Sequence, residues 1–237
     1  MPTRLLLVAA LASIAFPLTA QAGERGFFVG LKLLGGTAFG SSSTTDGGAP
    51  WAGGGIVSDV RFGETVGIDS RFGYHFDPAM SVFISYQHIR GDIRWSANFP
   101  LFGVSSRFAG SAISNAILGN VSHELRLSDT TAVTATAGLG ITFNALSGVI
   151  ETDRATGIFL ADVEDHTRLG PIAQIGIGLR HRITSNAVLV LDGSIAYTSG
   201  FETGNTRHGN LGITGITPYK IDDVWRANIG ASIRYEL

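Results

Sequence analysis

The segment DVWRANIGASIRYEL, residues Asp223–Leu237, alternates apolar and polar residues without a break. Apolar residues occupy every second position from Trp225 onward, and charged residues, glycine and other polar residues occupy the positions between them. Because successive side chains of an extended chain point to opposite faces, this period of two predicts a β-strand. One wholly apolar face beside one polar face is typical of the strand that closes a membrane β-barrel.

Seven more segments of the chain have the same character. In one of them the alternation changes phase, which predicts a β-bulge around Ile113–Leu118. Together with the carboxyl-terminal segment they predict an all-β fold, an eight-stranded antiparallel up-and-down transmembrane β-barrel. The seven segments are 25–36, 65–76, 81–90, 107–127, 133–144, 169–180 and 189–198.

The connections between these segments alternate between short and long. Three are tight turns, at 77–79, 128–130 and 184–186. Outer-membrane barrels combine short periplasmic turns with longer extracellular loops, and an even strand number keeps both termini in the periplasm. We therefore expect four extracellular loops, and these are 37–64, 91–106, 145–167 and 200–222.

The amino-terminal region predicts export. A positive charge at Arg4 precedes an apolar run from Leu5 to Phe16, and Ala20-Gln21-Ala22 has the small-residue pattern of a secretory cleavage site. We expect a cleaved signal peptide over residues 1–22 and the barrel over 23–237. The apolar run is shorter than the span of about 20 residues that a membrane helix needs. The expected location is the cell outer membrane.

Composition narrows the classes of function. The chain has 32 glycines, only 15% charged residues and no cysteine. Without cysteine there is neither a disulfide framework nor a metal site built on thiolate, and we expect no metal and no cofactor. The formal net charge of -2 argues against a surface that binds nucleic acid, which needs clustered lysine and arginine.

A soluble barrel is the alternative for the fold, since its strands also alternate. Its apolar face, however, points inward and its charged face points to water. Here the apolar face carries large aromatic residues near strand ends, as membrane interfaces favour. The expected interface aromatics are Tyr74, Tyr86, Tyr197, Trp225 and Tyr235.

The stretch GETVGIDSRFGYHFDPAMSVFISYQHIRGDIRW, Gly63–Trp95, resembles the second and third strands of the small outer-membrane barrels of the OmpA, OmpX and Opa type. It has Gly-Tyr before a turn that contains proline, and a tyrosine in the next strand. GFFVGLKLLGG, Gly26–Gly36, is similar to the opening strand of that family. The resemblance covers the rest of the mature chain as architecture only.

This resemblance implies a structural or surface-interaction role. The partners it implies are outer-membrane lipid and lipopolysaccharide, the barrel-assembly machinery, and host or surface ligands at the extracellular loops, with the protein acting as a monomer. Two departures from the family matter. The chain stops after the eighth strand, so we expect no peptidoglycan-binding periplasmic domain. It ends in Leu237 where the family more often ends in phenylalanine, which we expect to weaken recognition by the assembly machinery.

The polar faces of the strands predict a crowded lumen. An eight-stranded barrel is just wide enough for its own side chains. Charges of both signs would have to pair there, because an unpaired buried charge costs several kcal/mol. A plug of ion pairs is the first interpretation, and a gate whose ion pairs exchange partners to pass small solutes is the alternative. The residues expected in the lumen are Lys32, Asp69, Arg71, Glu124, Gln174, Arg180, Asp192, Arg226, Asn228, Arg234 and Glu236.

An enzyme that modifies lipid A is the remaining alternative. Such a site needs a nucleophile or base, commonly serine and histidine, within hydrogen-bond reach of each other and facing the outer leaflet. Among the six histidines only His88, with Ser85 and Asp92 nearby in sequence, is expected toward the outside. Because no set of residues meets the geometric requirement, we expect no catalytic site.

The third long loop contains several acidic residues that could attract a divalent cation. Their spacing does not match an EF-hand, so a solvated acidic loop is the expectation. These residues are Asp153, Asp162, Glu164 and Asp165.

Overall fold

The computed structural model describes residues 25–42, 44, 55–100, 103–210 and 212–237. The expected signal peptide lies outside these residues. Twelve strands form, and no helix in the described ranges is long and apolar enough to cross a membrane. The strands are β1 (Gly26–Ser41), β2 (Ile56–His75), β3 (Met80–Phe99), β4 (Val104–Arg126), β5 (Thr131–Asp153), β6 (Phe159–Val163), β7 (His166–Arg182), β8 (Ala187–Thr198), β9 (Phe201–Glu202), β10 (Thr206–Gly209), β11 (Gly212–Gly215) and β12 (Lys220–Glu236).

Eight of these strands close into a ring. Each pairs antiparallel with its neighbours in the order β1-β2-β3-β4-β5-β7-β8-β12, and β12 returns to pair with β1. The closing register runs from Phe28 opposite Glu236 to Phe39 opposite Trp225. The eight-stranded antiparallel up-and-down barrel is therefore confirmed. Closure leaves no free edge on the ring, which satisfies the backbone in a medium that offers no hydrogen bonds.

The barrel is apolar outside and polar inside. On β12 the outward residues Trp225, Ile229 and Ile233 are 49%, 74% and 62% exposed, whereas the inward residues Arg226 and Arg234 are buried. The same inversion holds round the ring, where leucine, isoleucine, valine and phenylalanine dominate the outer surface of the eight strands. An apolar surface of that extent is stable against lipid and not against water. The soluble alternative has the opposite arrangement.

Three short turns join the strands at one end, which we call the short-turn end. In each of them a backbone N–H donates to the carbonyl four residues later, at Phe76, Leu127 and Ile183. The residue after each of these three is Asp, Ser or Thr, and its side-chain oxygen accepts from the backbone N–H groups two and three residues later. Both described chain ends lie here too, since Leu237 N donates to Phe27 O at 2.9 Å.

The opposite end, which we call the hairpin end, has longer strands than the sequence pattern predicted. β3 and β4 run on to Phe99 and Val104, so most of the expected loop 91–106 is hairpin. The expected loops 37–64 and 145–167 are likewise shortened by the extension of β1, β2 and β5 and by β6. The fourth expected loop, 200–222, contains β9, β10, β11 and the start of β12. The ring strands therefore stay hydrogen-bonded to their neighbours beyond the apolar band.

The β-bulge predicted around Ile113–Leu118 is wrong. β4 keeps an unbroken register with β3 through this stretch. The register between β4 and β5 shifts between Ala109 and Ser111 instead, opposite Gly148, whose φ of 60° is left-handed. The alternation of apolar and polar residues changes phase here because the inward face of β4 becomes apolar, at Ala112, Ala116 and Leu118. The side chains themselves keep their inward and outward directions.

Candidate functional site

A set of four charged side chains crosses the barrel at mid-height, and we call it the central network: Lys32 on β1, Asp69 and Arg71 on β2, and Asp192 on β8. Lys32 Nζ lies 2.8 Å from Asp192 Oδ1 and 3.7 Å from Asp69 Oδ2. Arg71 Nη2 lies 3.0 Å from Asp69 Oδ2 and 3.6 Å from Asp192 Oδ2. Each cation thus bridges both carboxylates, and each carboxylate bridges both cations.

Neutral and aromatic side chains complete the coordination of the central network. Gln87 Nε2 donates to Asp69 Oδ2 at 3.2 Å and to Gln174 Oε1 at 3.0 Å, which ties β3 and β7 to the network. The Arg71 guanidinium lies 5.3 Å from the centre of the Phe83 ring. Gln87 and Phe83 are absent from the residues predicted for the lumen, although their odd-numbered positions on the inward face of β3 could have identified them.

A second set of charges lies nearer the short-turn end, and we call it the lower network: Glu124, Arg180, Arg234, Glu236 and His75. Arg180 Nη1 and Arg234 Nη2 approach the two oxygens of Glu124 at 3.0 and 3.1 Å. Arg234 Nε also donates to Glu236 Oε1 at 2.8 Å, and His75 Nε2 lies 3.2 Å from Glu236 Oε2. His75 joins this network although it was not predicted in it. Four strands, β2, β4, β7 and β12, are therefore linked across the interior.

The structure thus brings nine of the eleven predicted lumen residues into the two networks or their direct contacts. The other two, Arg226 and Asn228, are buried on the inward face of β12 above the central network. Among the described residues the Arg226 nitrogens and Asn228 Oδ1 have no hydrogen-bond partner. A cavity of about 40 Å³ lies beside the central network, with room for a few water molecules.

The interior at the hairpin end is apolar, which the sequence pattern did not predict. We call this group the apolar plug, after its fully buried members Ile93, Trp95, Phe108, Leu146 and Ile221, with Tyr219 packed among them. The Trp95 and Phe108 rings stack with centroids 5.3 Å apart, and Tyr219 lies 4.7 Å from Phe108. The inward face of β3 continues apolar through Ile93, Trp95 and Ala97, and that run was the available signal.

The five expected interface aromatics all lie on the outer surface. Tyr197 and Trp225 pack with ring centroids 5.0 Å apart toward the hairpin end, and Tyr197 Oη donates to Asp223 Oδ1 at 3.2 Å. Tyr74 contacts the Phe27 and Phe76 rings near the short-turn end, where Tyr235 is also exposed. Tyr86 lies between these groups and donates to Asn115 Oδ1 at 2.9 Å.

The residues considered for catalysis do not converge. His88 faces outward and its Nδ1 lies 2.8 Å from Asn115 Oδ1, whereas Ser85 is buried in the interior and bonded by Asn120 Nδ2 at 3.0 Å. The wall of the barrel therefore separates Ser85 from His88. Asp92 is exposed on the outer face of β3, four residues further along the strand than His88.

Two of the four acidic residues of the third predicted loop, Asp153 and Asp165, accept hydrogen bonds from their own chain. Asp165 accepts from Ser147 Oγ at 2.9 Å and from Gly148 N at 2.8 Å. Asp153 accepts from the Thr156 hydroxyl and from the Thr156 and Ala155 N–H groups, and these hydrogen bonds lower the pKa of its carboxyl group. Within the described ranges no group of three or more His, Cys, Asp or Glu side chains could hold a metal ion.

Comparisons with known proteins concern the fold. The chain is similar to the crystal structure of Neisserial surface protein A, with a TM-score of 0.51 and 13% identity over 91% of this chain and 100% of that one. It is similar to the outer membrane protein OprG from Pseudomonas aeruginosa, with a TM-score of 0.54 and 13% identity over 92% of this chain and 100% of that one. No protein-family model matches the sequence, and no curated protein matches it.

Proposed function

Since the chain is a small eight-stranded outer-membrane β-barrel, we propose that it is a closed scaffold which presents its long hairpins at the cell surface. The observation that carries this proposal is the filling of the interior at three levels. The lower network, the central network and the apolar plug follow one another from the short-turn end to the hairpin end. A solute would have to displace all three, and buried ion pairs are costly to separate.

The outer surface supports a role for the barrel as a monomer. The exposed apolar band is present on all eight strands of the ring, and the aromatic side chains Tyr74 and Tyr197 lie toward its two ends. With every ring strand paired on both sides, the ring offers no strand edge to recruit a second copy. Outer-membrane lipid is therefore the partner of this band, and the barrel-assembly machinery is its expected route into the membrane.

Charge on the hairpins favours an anionic surface partner. Arg61 on β2 lies directly opposite Arg94 on β3, and both are exposed, as is Arg107 on β4. Like charges directly opposite each other on neighbouring strands are destabilising unless an anion compensates them. These arginines lie just beyond the apolar band, where we expect the phosphate groups of lipopolysaccharide.

Binding to lipopolysaccharide tests the surface role. We expect the R61Q/R94Q variant to bind lipopolysaccharide vesicles at least fivefold more weakly than the unmodified protein, since each lost charge contact removes about 1 kcal/mol. R126Q is the matched control, because Arg126 is exposed at the short-turn end. Equal binding by all three proteins would contradict an anionic partner at the hairpins.

Conductance in planar bilayers tests the closed interior. We expect no stable single-channel steps from the unmodified protein. The second candidate function, a gate, is favoured by the shared carboxylates of the central network, because Asp69 and Asp192 each lie within 4 Å of both Lys32 and Arg71. The gate requires steps that Asp192→Asn abolishes and that the exposed-site control Asp162→Asn leaves unchanged. Such steps would refute the closed scaffold.

We propose no catalytic role for the barrel, because His88 and Ser85 lie on opposite sides of its wall. Membranes that overproduce the protein are expected to contain unaltered lipid A by mass spectrometry. A change in lipid A mass that disappears in His88→Ala would establish the enzyme instead.

A further inference from the structure

Arg226 differs from every other cation that the barrel buries to the same degree. Lys32, Arg180 and Arg234 each have a carboxylate oxygen within 3.0 Å. Arg226 is only 2% exposed, and its Nε, Nη1 and Nη2 atoms have no hydrogen-bond partner among the described residues. A guanidinium group has five N–H donors, and all of them face a low-dielectric interior without an acceptor.

The charges of the two networks are balanced without Arg226. The central network joins two cations to two carboxylates, and the lower network joins Arg180 and Arg234 to Glu124 and Glu236. Near the plug, buried Glu151 is bound by Arg207 Nε at 2.6 Å. Arg226 is therefore the cation left over. Arginine cannot lose its proton under ordinary conditions, and an unpaired buried charge is strongly destabilising.

Short side chains surround Arg226 on both neighbouring strands. Its Cα partners are Ala38 on β1 and Ala196 on β8, whose side chains supply no acceptor. Thr65 lies on β2 opposite Gly36, and its buried Oγ1 also has no described hydrogen-bond partner. Because Gly36 also pairs with Asn228, Thr65 lies at the level of Asn228, one residue pair along the inward faces from Arg226. Asn228 Oδ1, two residues along the inward face of β12, is an acceptor that also lacks a described partner, but a neutral amide oxygen does not balance the charge of Arg226.

We propose that the barrel interior binds one small monovalent anion of the halide class at Arg226, with the Thr65 hydroxyl as a second donor. The ligand is small because the neighbours of Arg226 on the inward face of β12, Val224 and Asn228, are both buried. The anion balances the interior charge and stabilises the folded barrel.

Halide dependence of stability tests the proposal on the full mature chain in detergent micelles. The fraction that stays folded during heating is read from gel mobility in chloride and in gluconate at equal ionic strength. We expect the melting midpoint to rise by about 5 °C when chloride reaches ~100 times its dissociation constant. Arg226→Met should lose this dependence, and Arg94→Met, which removes an exposed arginine, should retain it. A midpoint of the unmodified protein that chloride does not change would overturn the proposal.

Crystals of the unmodified protein grown in bromide give a readout that does not depend on folding of the variant. We expect one anomalous peak within hydrogen-bond distance of the Arg226 guanidinium. Water in that position, with no anomalous signal, would refute the anion. Asp46 is the one acidic residue in the undescribed stretch between β1 and β2. If chloride raised the midpoint of Asp46→Asn and not that of the unmodified protein, the counter-charge would belong to the chain itself and the proposal would fail. Conductance is independent of each of these outcomes.

Discussion

At the scale of single residues, the interior ion pairs are the contacts whose disruption should lower the free energy of unfolding most. Lys32 and Asp192 are 2.8 Å apart and nearly excluded from water. Their net contribution relative to an apolar pair is small, because desolvation offsets attraction. Removal of Asp192 is different, since it leaves two buried cations, Lys32 and Arg71, to share the one carboxylate of Asp69.

Asp192→Asn is therefore expected to lower the free energy of unfolding by about 3 kcal/mol. Adding Lys32→Met to Asp192→Asn should restore most of the loss, since no unpaired lysine then remains. Urea unfolding in lipid vesicles, followed by tryptophan fluorescence, measures both. Asp162→Asn, at an exposed carboxylate, should change little. Equal losses in the single and double variants would show that the pair does not act as a unit.

Close packing of the interior makes a second prediction at this scale. A Cβ atom on Gly73 would lie 2.5 Å from Phe28 Cζ and from Phe83 Cβ, whereas a Cβ on outward Gly35 would meet no atom within 4 Å. We expect Gly73→Ala to destabilise the barrel by about 1–3 kcal/mol and Gly35→Ala to be close to neutral. The same unfolding assay compares them. A Gly73→Ala variant as stable as Gly35→Ala would mean that this layer is loosely packed.

At the scale of elements, the three short turns share one geometry. Asp77, Ser128 and Thr184 occupy the same place in their turns and accept backbone N–H groups with a side-chain oxygen. Asp77 makes the shortest of these bonds, 2.7 Å to Ala79 N and 2.8 Å to Met80 N. Aspartate in this position stabilises a turn because it replaces part of the backbone bonding.

Asp77→Ala should lower the free energy of unfolding by about 1–2 kcal/mol through the loss of two hydrogen bonds. The matched control is Asp129→Ala, because Asp129 is exposed in the neighbouring turn and has no described side-chain hydrogen bond. Folding rates from refolding into vesicles provide the second readout. If both variants behaved alike, the turn would owe its stability to the strands alone.

The sequence predicts the strands well where their two faces differ in polarity. β12 is predictable because Trp225 and Ile229 face lipid while Arg226 and Asn228 face the interior. The extensions of β3 and β4 are not, because Ile93, Trp95 and Phe108 point inward while arginines and serines point outward, which reverses the pattern. Polarity alternation reports what each face contacts, and the contacts change where the strands leave the membrane.

The lumen residues were predictable as a set and not as pairs. The alternation of polar and apolar residues along each strand is enough to place Lys32, Asp69 and Asp192 on inward faces. Which cation meets which carboxylate depends on the stagger between β1, β2 and β8, and that stagger follows from the register of the whole ring. For the same reason the isolation of Arg226 was not visible in the sequence.

At the scale of the whole molecule, the central claim is a sealed barrel with lipid outside. The chain has no cysteine, so one introduced cysteine carries a single label. On β12, positions 229 and 233 face outward, and 228 and 232 face inward. Spin labels on the barrel in lipid vesicles separate lipid, water and sealed interior by their access to oxygen and to a water-soluble nickel complex.

We predict that labels at Ile229→Cys and Ile233→Cys are reached by oxygen and not by the nickel complex, and that labels at Asn228→Cys and Ser232→Cys are reached by neither. Access of the nickel complex to the two inward positions would show an open lumen. Access of the complex to the two outward positions would contradict membrane insertion, and with it the whole account.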